Sequence, residues 1–121
     1  MRKGTILAAA AAILLNVGPA SAAQLADGLY DCTIGTAFLG SIRIEGDQFS
    51  GPAYDGKFEG SYPFDASDGQ TITWGGPLSG ITEAGKVVST VLTDVGNGRT
   101  GFDITIQNSR GNFQTVNCAP Q

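Results

Sequence analysis

Chemistry in a chain of 121 residues has to be sought first among histidines, cysteines, paired carboxylates and glycine-rich loops. There is no histidine, which removes the commonest general base, the Ser-His pairing and histidine-containing zinc sites. Asp65-Ala66-Ser67-Asp68-Gly69 puts two carboxylates in one turn. That spacing departs from the EF-hand order, with its glycine sixth and glutamate twelfth, and Asp and Ser in a turn cap local backbone donors. Gly96-Asn97-Gly98-Arg99-Thr100-Gly101 matches the G-x-G-x-x-G pattern letter for letter. A dinucleotide fingerprint needs a helix next, whose N-terminus carries the pyrophosphate. Phe102-Asp103-Ile104-Thr105-Ile106-Gln107 alternates like a strand instead, so the glycines are expected in a hairpin turn. A carboxylate pair of glycosidase type, or a Ser-Lys arrangement using Lys57 or Lys86, has no motif around it. The expectation is a protein that is not an enzyme and needs no cofactor or metal.

The stretch best suited to binding is Trp74-Gly75-Gly76-Pro77-Leu78-Ser79-Gly80, which places the one tryptophan at a strand end beside a Gly-Gly-Pro loop. An aromatic there either fills the core or stacks on a ligand. Phe38, Tyr54 and Leu78 are apolar residues that also fall in connecting segments, and binding residues tend to lie on loops held by a rigid frame. Phe38, Tyr54, Trp74 and Leu78 are therefore the candidate binding residues. The alternative is that they fold back as a plug over the core.

The elements that would hold these residues are short strands. Lys57 to Phe64 alternates polar and apolar, as does Gln70 to Trp74 after the Asp65–Gly69 turn, so Phe58, Tyr62, Phe64, Ile72 and Trp74 are expected on one face of an antiparallel pair. Leu29–Ile34, Leu39–Glu45 and Gln48–Gly51 precede that pair, and Val87–Thr93, Phe102–Gln107 and Asn112–Cys118 follow it. From Ala23 onward no window holds a helical period over eleven residues. Connections this short favour antiparallel neighbours, because a parallel crossover takes a dozen residues or more. The expected fold is all-β: an up-and-down barrel of about eight strands, with a two-layer sandwich as the alternative.

In an up-and-down order the connections alternate between the two ends. Asp47, Asp65, Asp68 and Asp94 fall at one, and Phe38, Tyr54, Leu78 and Ile81 at the other. Strands of five to eight residues with Arg43, Lys57, Glu59 and Asp103 outward are too short and too charged for a lipid-facing barrel.

Arg2 and Lys3, an apolar run from Gly4 to Gly18 and the small residues Ala20-Ser21-Ala22 make residues 1–22 an expected signal peptide, leaving 23–121 as a single domain. The run is short for a membrane span. Export places the protein in the periplasm or outside the cell, so Cys32 and Cys118 are expected to form a disulfide. Such a bridge requires Cα atoms within about 7 Å, which brings the first and last strands together. Removing Arg2 and Lys3 leaves five basic against eleven acidic side chains, a formal charge of −6. That balance argues against nucleic acid and anionic lipid as partners.

Gly28-Leu29-Tyr30, Gly40-Ser41-Ile42-Arg43-Ile44 and Gly56-Lys57-Phe58-Glu59-Gly60-Ser61-Tyr62 resemble the opening strands of avidin-type barrels, secreted eight-stranded meanders that hold biotin in one mouth. The resemblance covers about a third of the chain. It implies the meander and carries over no binding residue, since an aromatic stands in place of the family's first tryptophan. The functional expectation is an exported binding or interaction module for a protein or a small apolar ligand. A hydrolase using surface carboxylates and a structural envelope protein are the alternatives.

Overall fold

A computed structural model describes residues 25–53, 56–78, 81 and 85–121. The expected signal peptide lies outside the described residues, as does Tyr54. Eight strands follow in chain order: β1 (Gly28–Ile34), β2 (Ala37–Glu45), β3 (Gln48–Ala53), β4 (Tyr62–Asp65), β5 (Thr73–Trp74), β6 (Lys86–Gly96), β7 (Arg99–Gln107) and β8 (Phe113–Pro120). They form one antiparallel sheet in the order β5-β4-β3-β2-β1-β8-β7-β6. Apart from β5 and β6, which stand at the two ends of that order, each strand lies beside its chain neighbours as in a meander, and β1 meets β8 to bring the two halves of the chain together.

The β1–β8 seam is fixed covalently. Cys32 and Cys118 are directly opposed across it, with Cα atoms 4.1 Å apart, and they form the expected disulfide over 86 residues of sequence. The bridge lies inside the barrel, with both residues buried. The chain terminus is tied to the same seam, since the Gln121 N–H donates to the Leu29 carbonyl at 3.0 Å and the Arg99 guanidinium donates to the Pro120 carbonyl at 2.9 Å. Gly101 has no room for a side chain because a Cβ would collide with the Cys118 carbonyl.

Period-two alternation decides which residues fill the barrel. Tyr30 and Cys32 from β1, Ile42 and Ile44 from β2, Phe49 from β3, Phe102, Ile104 and Ile106 from β7, and Val116 and Cys118 from β8 are all buried. Asp31, Arg43, Asp103 and Asn117 occupy alternate positions and are more exposed. Outside, Asn117 donates to Asp103 at 2.8 Å across the β7–β8 ladder and Ser41 to Asp31 at 2.7 Å across β1–β2.

The aromatic pair between Gly56 and Gly76 departs from expectation. Lys57 to Ser61 forms no strand; β4 starts only at Tyr62, and β5 is two residues long. Gly56 and Gly60 take φ of +76° and +82°, which turns the chain out of the extended conformation on either side of Phe58. Phe58 then leaves the shared face and lies under the Arg43 guanidinium, 4.3 Å from ring centroid to Cζ, in cation–π geometry. Phe64, Ile72 and Trp74 do pack on the core, whereas Tyr62 is 37% exposed and meets it only through a tilted contact with Phe49, ring centroids 5.9 Å apart.

The glycine-rich run is a hairpin turn, as expected. β6 and β7 extend to Gly96 and Arg99, leaving only Asn97-Gly98 as the loop. Both residues have positive φ, 57° and 72°, the signature of a type I′ turn, whose twist matches that of the flanking strands. No helix follows.

Candidate functional site

The ladder between β5 and β6 is incomplete. Just before β5 the chain joins β6 firmly: the Ile72 N–H donates to the Thr90 carbonyl at 3.0 Å and the Leu92 N–H to the Gln70 carbonyl at 2.8 Å, with Thr71 bridging Val91. Beyond Ile72 the two strands part. Among the described residues, Lys86 to Ser89 pairs only with β7, and Thr73-Trp74 only with β4.

The opening is an apolar groove of about 930 Å³, within the size range of small-molecule and short-segment sites. Thr73, Trp74 and Leu78 line one side, and Lys86, Val88 and Thr90 line the other. Its mouth lies at the barrel end that carries the exit of β5, the entry to β6 and the β7–β8 turn, the end singled out by the alternation of connections. Asn108 and Ser109 border the mouth. Their turn is held by the Asn108 side chain, which accepts from the Arg110 and Asn112 amides at 2.9 and 3.0 Å. Gly85 brings the start of β6 against the end of β7, close enough that a Cβ would sit 2.7 Å from the Gln107 carbonyl. A Cβ at Gly76 would meet the Tyr62 ring, so only glycine lets the chain leave β5 under that aromatic.

Trp74 ties groove to core. Its ring lies edge-on to Phe49 at 4.7 Å and to Phe102 at 5.5 Å, and its indole N–H donates to the Thr90 hydroxyl at 2.7 Å. Thr90 is 2% exposed. This bond spans the gap where backbone pairing has ceased. It also spends the indole donor, so Trp74 offers the groove an apolar ring edge and no free hydrogen bond.

Trp74 and Leu78 line this groove together, although Leu78 is only 1% exposed and belongs to its floor, where it also plugs the core. Phe38 lies on β2 just past the first hairpin, 42% exposed, and does not line the groove. The wall contributed by β6 was not among the sequence candidates. Its signal was present, because Val87-Val88 breaks the alternation, and the β6–β7 register slips between Val87 and Ser89, the mark of a β-bulge.

The carboxylates of the opposite end are occupied locally. The Asp68 carboxyl is held below the usual carboxylate range by the Thr71 hydroxyl, then by the Thr71 and Gln70 amides. That of Asp65 is lowered by its bonds from Ser67. Among the described residues no three acidic or cysteine side chains converge as a metal site would require. A smaller hollow of about 360 Å³ lies there, beside Asp94 and Arg99.

Comparison with protein-family models, with curated proteins and with solved structures finds no match. The groove therefore has to be read from its own chemistry.

Proposed function

We propose that this protein is an exported, non-enzymatic binding module whose site is the groove between β5 and β6. The observation that carries the proposal is the parting of two strands around an apolar groove at the loop end of an otherwise closed barrel, with the Trp74 ring in its wall. Barrel mouths and gaps of this size are common ligand sites, and the frame around this one is rigid: a disulfide seam opposite, and an aromatic cluster beneath. No carboxylate lines the groove among the described residues. Asp65 and Asp68 are shifted downward, whereas a general acid needs its pKa raised, which favours binding over hydrolysis. Export fits the disulfide, which persists in oxidising compartments, and the basic-apolar-small pattern of residues 1–22.

The test uses the only tryptophan as reporter. The apolar dye anilinonaphthalene sulfonate, titrated into the mature protein, is expected to bind saturably and to quench Trp74 by energy transfer. Val88 is 50% exposed and lines the groove, so Val88→Asp should weaken dye binding about tenfold, the equivalent of ~1.4 kcal/mol. Phe113→Ser, at an exposed position outside the groove, should leave it unchanged. Absence of saturable binding, or equal binding by Val88→Asp, would overturn the proposal.

A further inference from the structure

We infer that the occupant of the groove is an extended peptide segment that adds antiparallel to the open edge of β6 and sets a carboxylate beside Lys86; this rests on the groove being the binding site. Strand edges carry rows of backbone donors and acceptors, and an exposed edge is a template for another strand. In most of this barrel those groups are paired. Thr90 and Leu92 direct backbone groups toward the β5 side, where Ile72 and Gln70 meet them. One step further along β6 that side has no described partner. Val88 is the extra residue of the bulge between Val87 and Ser89, and the extra residue of a bulge is left out of the ladder. A peptide strand would supply the pairing that β5 gives up beyond Ile72, with side-chain pockets providing specificity.

The shape of the site separates a peptide from a second copy of this chain. The open edge is walled by Thr73 and Trp74 on the far side and bordered by Asn108 and Ser109 at the mouth. An edge walled on its far side favours a single entering strand over the edge of a second barrel. Charge sets its direction. Lys86 is the one charged side chain among the described lining residues, and it has no ion pair among the described residues. β6 runs from Lys86 at the loop end toward Gly96, so an antiparallel strand runs the other way and delivers its C-terminal side to Lys86. A parallel strand would bring its N-terminal side there. All seven strand pairs of the sheet are antiparallel as well. An acidic side chain or a terminal carboxylate just past the paired residues would meet the ammonium in a charge-assisted contact.

A displayed random octapeptide library selected on the mature protein provides the probe, and the enriched peptide is then synthesised with N-methyl groups on alternate residues. Enriched sequences should carry an apolar residue at every second position and an acid or free carboxylate on the C-terminal side. They should displace anilinonaphthalene sulfonate and perturb Trp74 emission. Methylating one alternate set of amides should weaken binding at least about tenfold, while the other set changes it less than about twofold, because only every second amide of a strand faces a given neighbour. Lys86→Glu should weaken the acidic peptide about tenfold and leave dye-free stability unchanged. Equal losses from both methylation sets, or peptides that bind without displacing dye, would overturn the strand-addition assignment. Saturable dye binding with no peptide enrichment would overturn it too, while leaving the groove standing as a small-molecule site. Failure of dye and peptides alike would remove the groove reading itself, and a micromolar dimer whose interface covers β6 would assign the edge to a second copy and overturn the peptide.

Discussion

Replacing Thr90 by valine tests the bond that spans the gap between β5 and β6. Valine nearly preserves the shape of threonine and removes the hydroxyl that accepts from the Trp74 indole at 2.7 Å. A buried donor left without a partner costs about 1 to 3 kcal/mol. Trp74 is only partly buried and borders the groove, so water reaching the indole offsets part of that loss. The fully buried position of Thr90 also favours the added methyl. The expected net loss is therefore at the low end, about 1 to 1.5 kcal/mol, or a fall of roughly 5 to 10 °C in thermal midpoint for a domain of this size. Thr90→Ser keeps the acceptor and loses one methyl, about 0.8 kcal/mol by the burial of a single carbon, so stability alone does not separate the two variants. A double-mutant cycle with Trp74→Phe does. If the bond acts as described, Thr90→Val and Trp74→Phe couple by about 1 kcal/mol and Thr90→Ser and Trp74→Phe do not, since residues in direct contact show interaction energies of that order. Urea unfolding followed by far-UV circular dichroism supplies the free energies without relying on the tryptophan. Thr90→Val as stable as the parent, with coupling indistinguishable from zero, would refute the latch.

Three further outcomes follow from the rest of the barrel. Changing Cys32 and Cys118 together to alanine opens an 86-residue loop and should cost about 4 to 5 kcal/mol in the chain-entropy description, a large part of the ~5–15 kcal/mol typical of whole domains; a loss under about 1 kcal/mol in urea denaturation would contradict it. Asp68 is ionised more readily in the folded chain because the Thr71 hydroxyl and the Thr71 and Gln70 amides bond its carboxylate. Its contribution should be complete above the ordinary value of 3.8 and lost as pH falls through the lower folded value, so Asp68→Asn should flatten the acid limb of stability against pH, and an unchanged limb would count against the assignment. Gly98→Val forces a β-branched residue to a φ of 72° and should cost about 1 to 2 kcal/mol, while titration of the parent with NAD or ATP leaves Trp74 emission unchanged; micromolar binding of either nucleotide, lost in Gly98→Val, would revive the dinucleotide reading of the loop.

Much of the barrel was legible because its information is local. Alternation in Tyr30-Asp31-Cys32 and in Phe102 to Ile106 assigns inward and outward faces one residue at a time, and two cysteines, one in the first strand and one in the last, imply the seam that closes the sheet. The Asn97-Gly98 turn was legible for the same reason, since positive φ at two adjacent positions selects those residues. The segment from Lys57 to Ser61 misled because alternation is necessary for a strand without being sufficient. Gly56 and Gly60 turn the backbone away from the ladder, and Phe58 finds Arg43 on a neighbouring strand, a contact that only tertiary structure reveals.

The candidate site was half legible. Trp74 beside Gly75-Gly76-Pro77 pointed to the end of the barrel where the groove opens, and Leu78 lies in the floor of the same groove while also serving as core. Phe38 was assigned to that end because it was expected in a connecting segment, yet it lies on β2, three strands from β5 and four from β6 in the sheet order, and does not line the groove. The opposite wall, Lys86 to Thr90, was hidden because whether a strand edge has a partner among the described residues is a property of its neighbour. Among the described residues that edge is left open where β5 stops after two residues, and the double valine that produces the bulge looks on its own like ordinary strand composition.

The most direct test of the groove as a binding site is residue-resolved. In two-dimensional NMR of the isotopically labelled protein, titration with the dye or an enriched peptide is expected to shift the Trp74 indole and the Val88 and Ser109 amides. Asp94, Gly98 and Arg99 at the opposite end of the barrel should stay in place. Shifts concentrated at Asp94 to Arg99, or binding that leaves the Trp74 indole and Val88 unmoved, would contradict the assignment of the site.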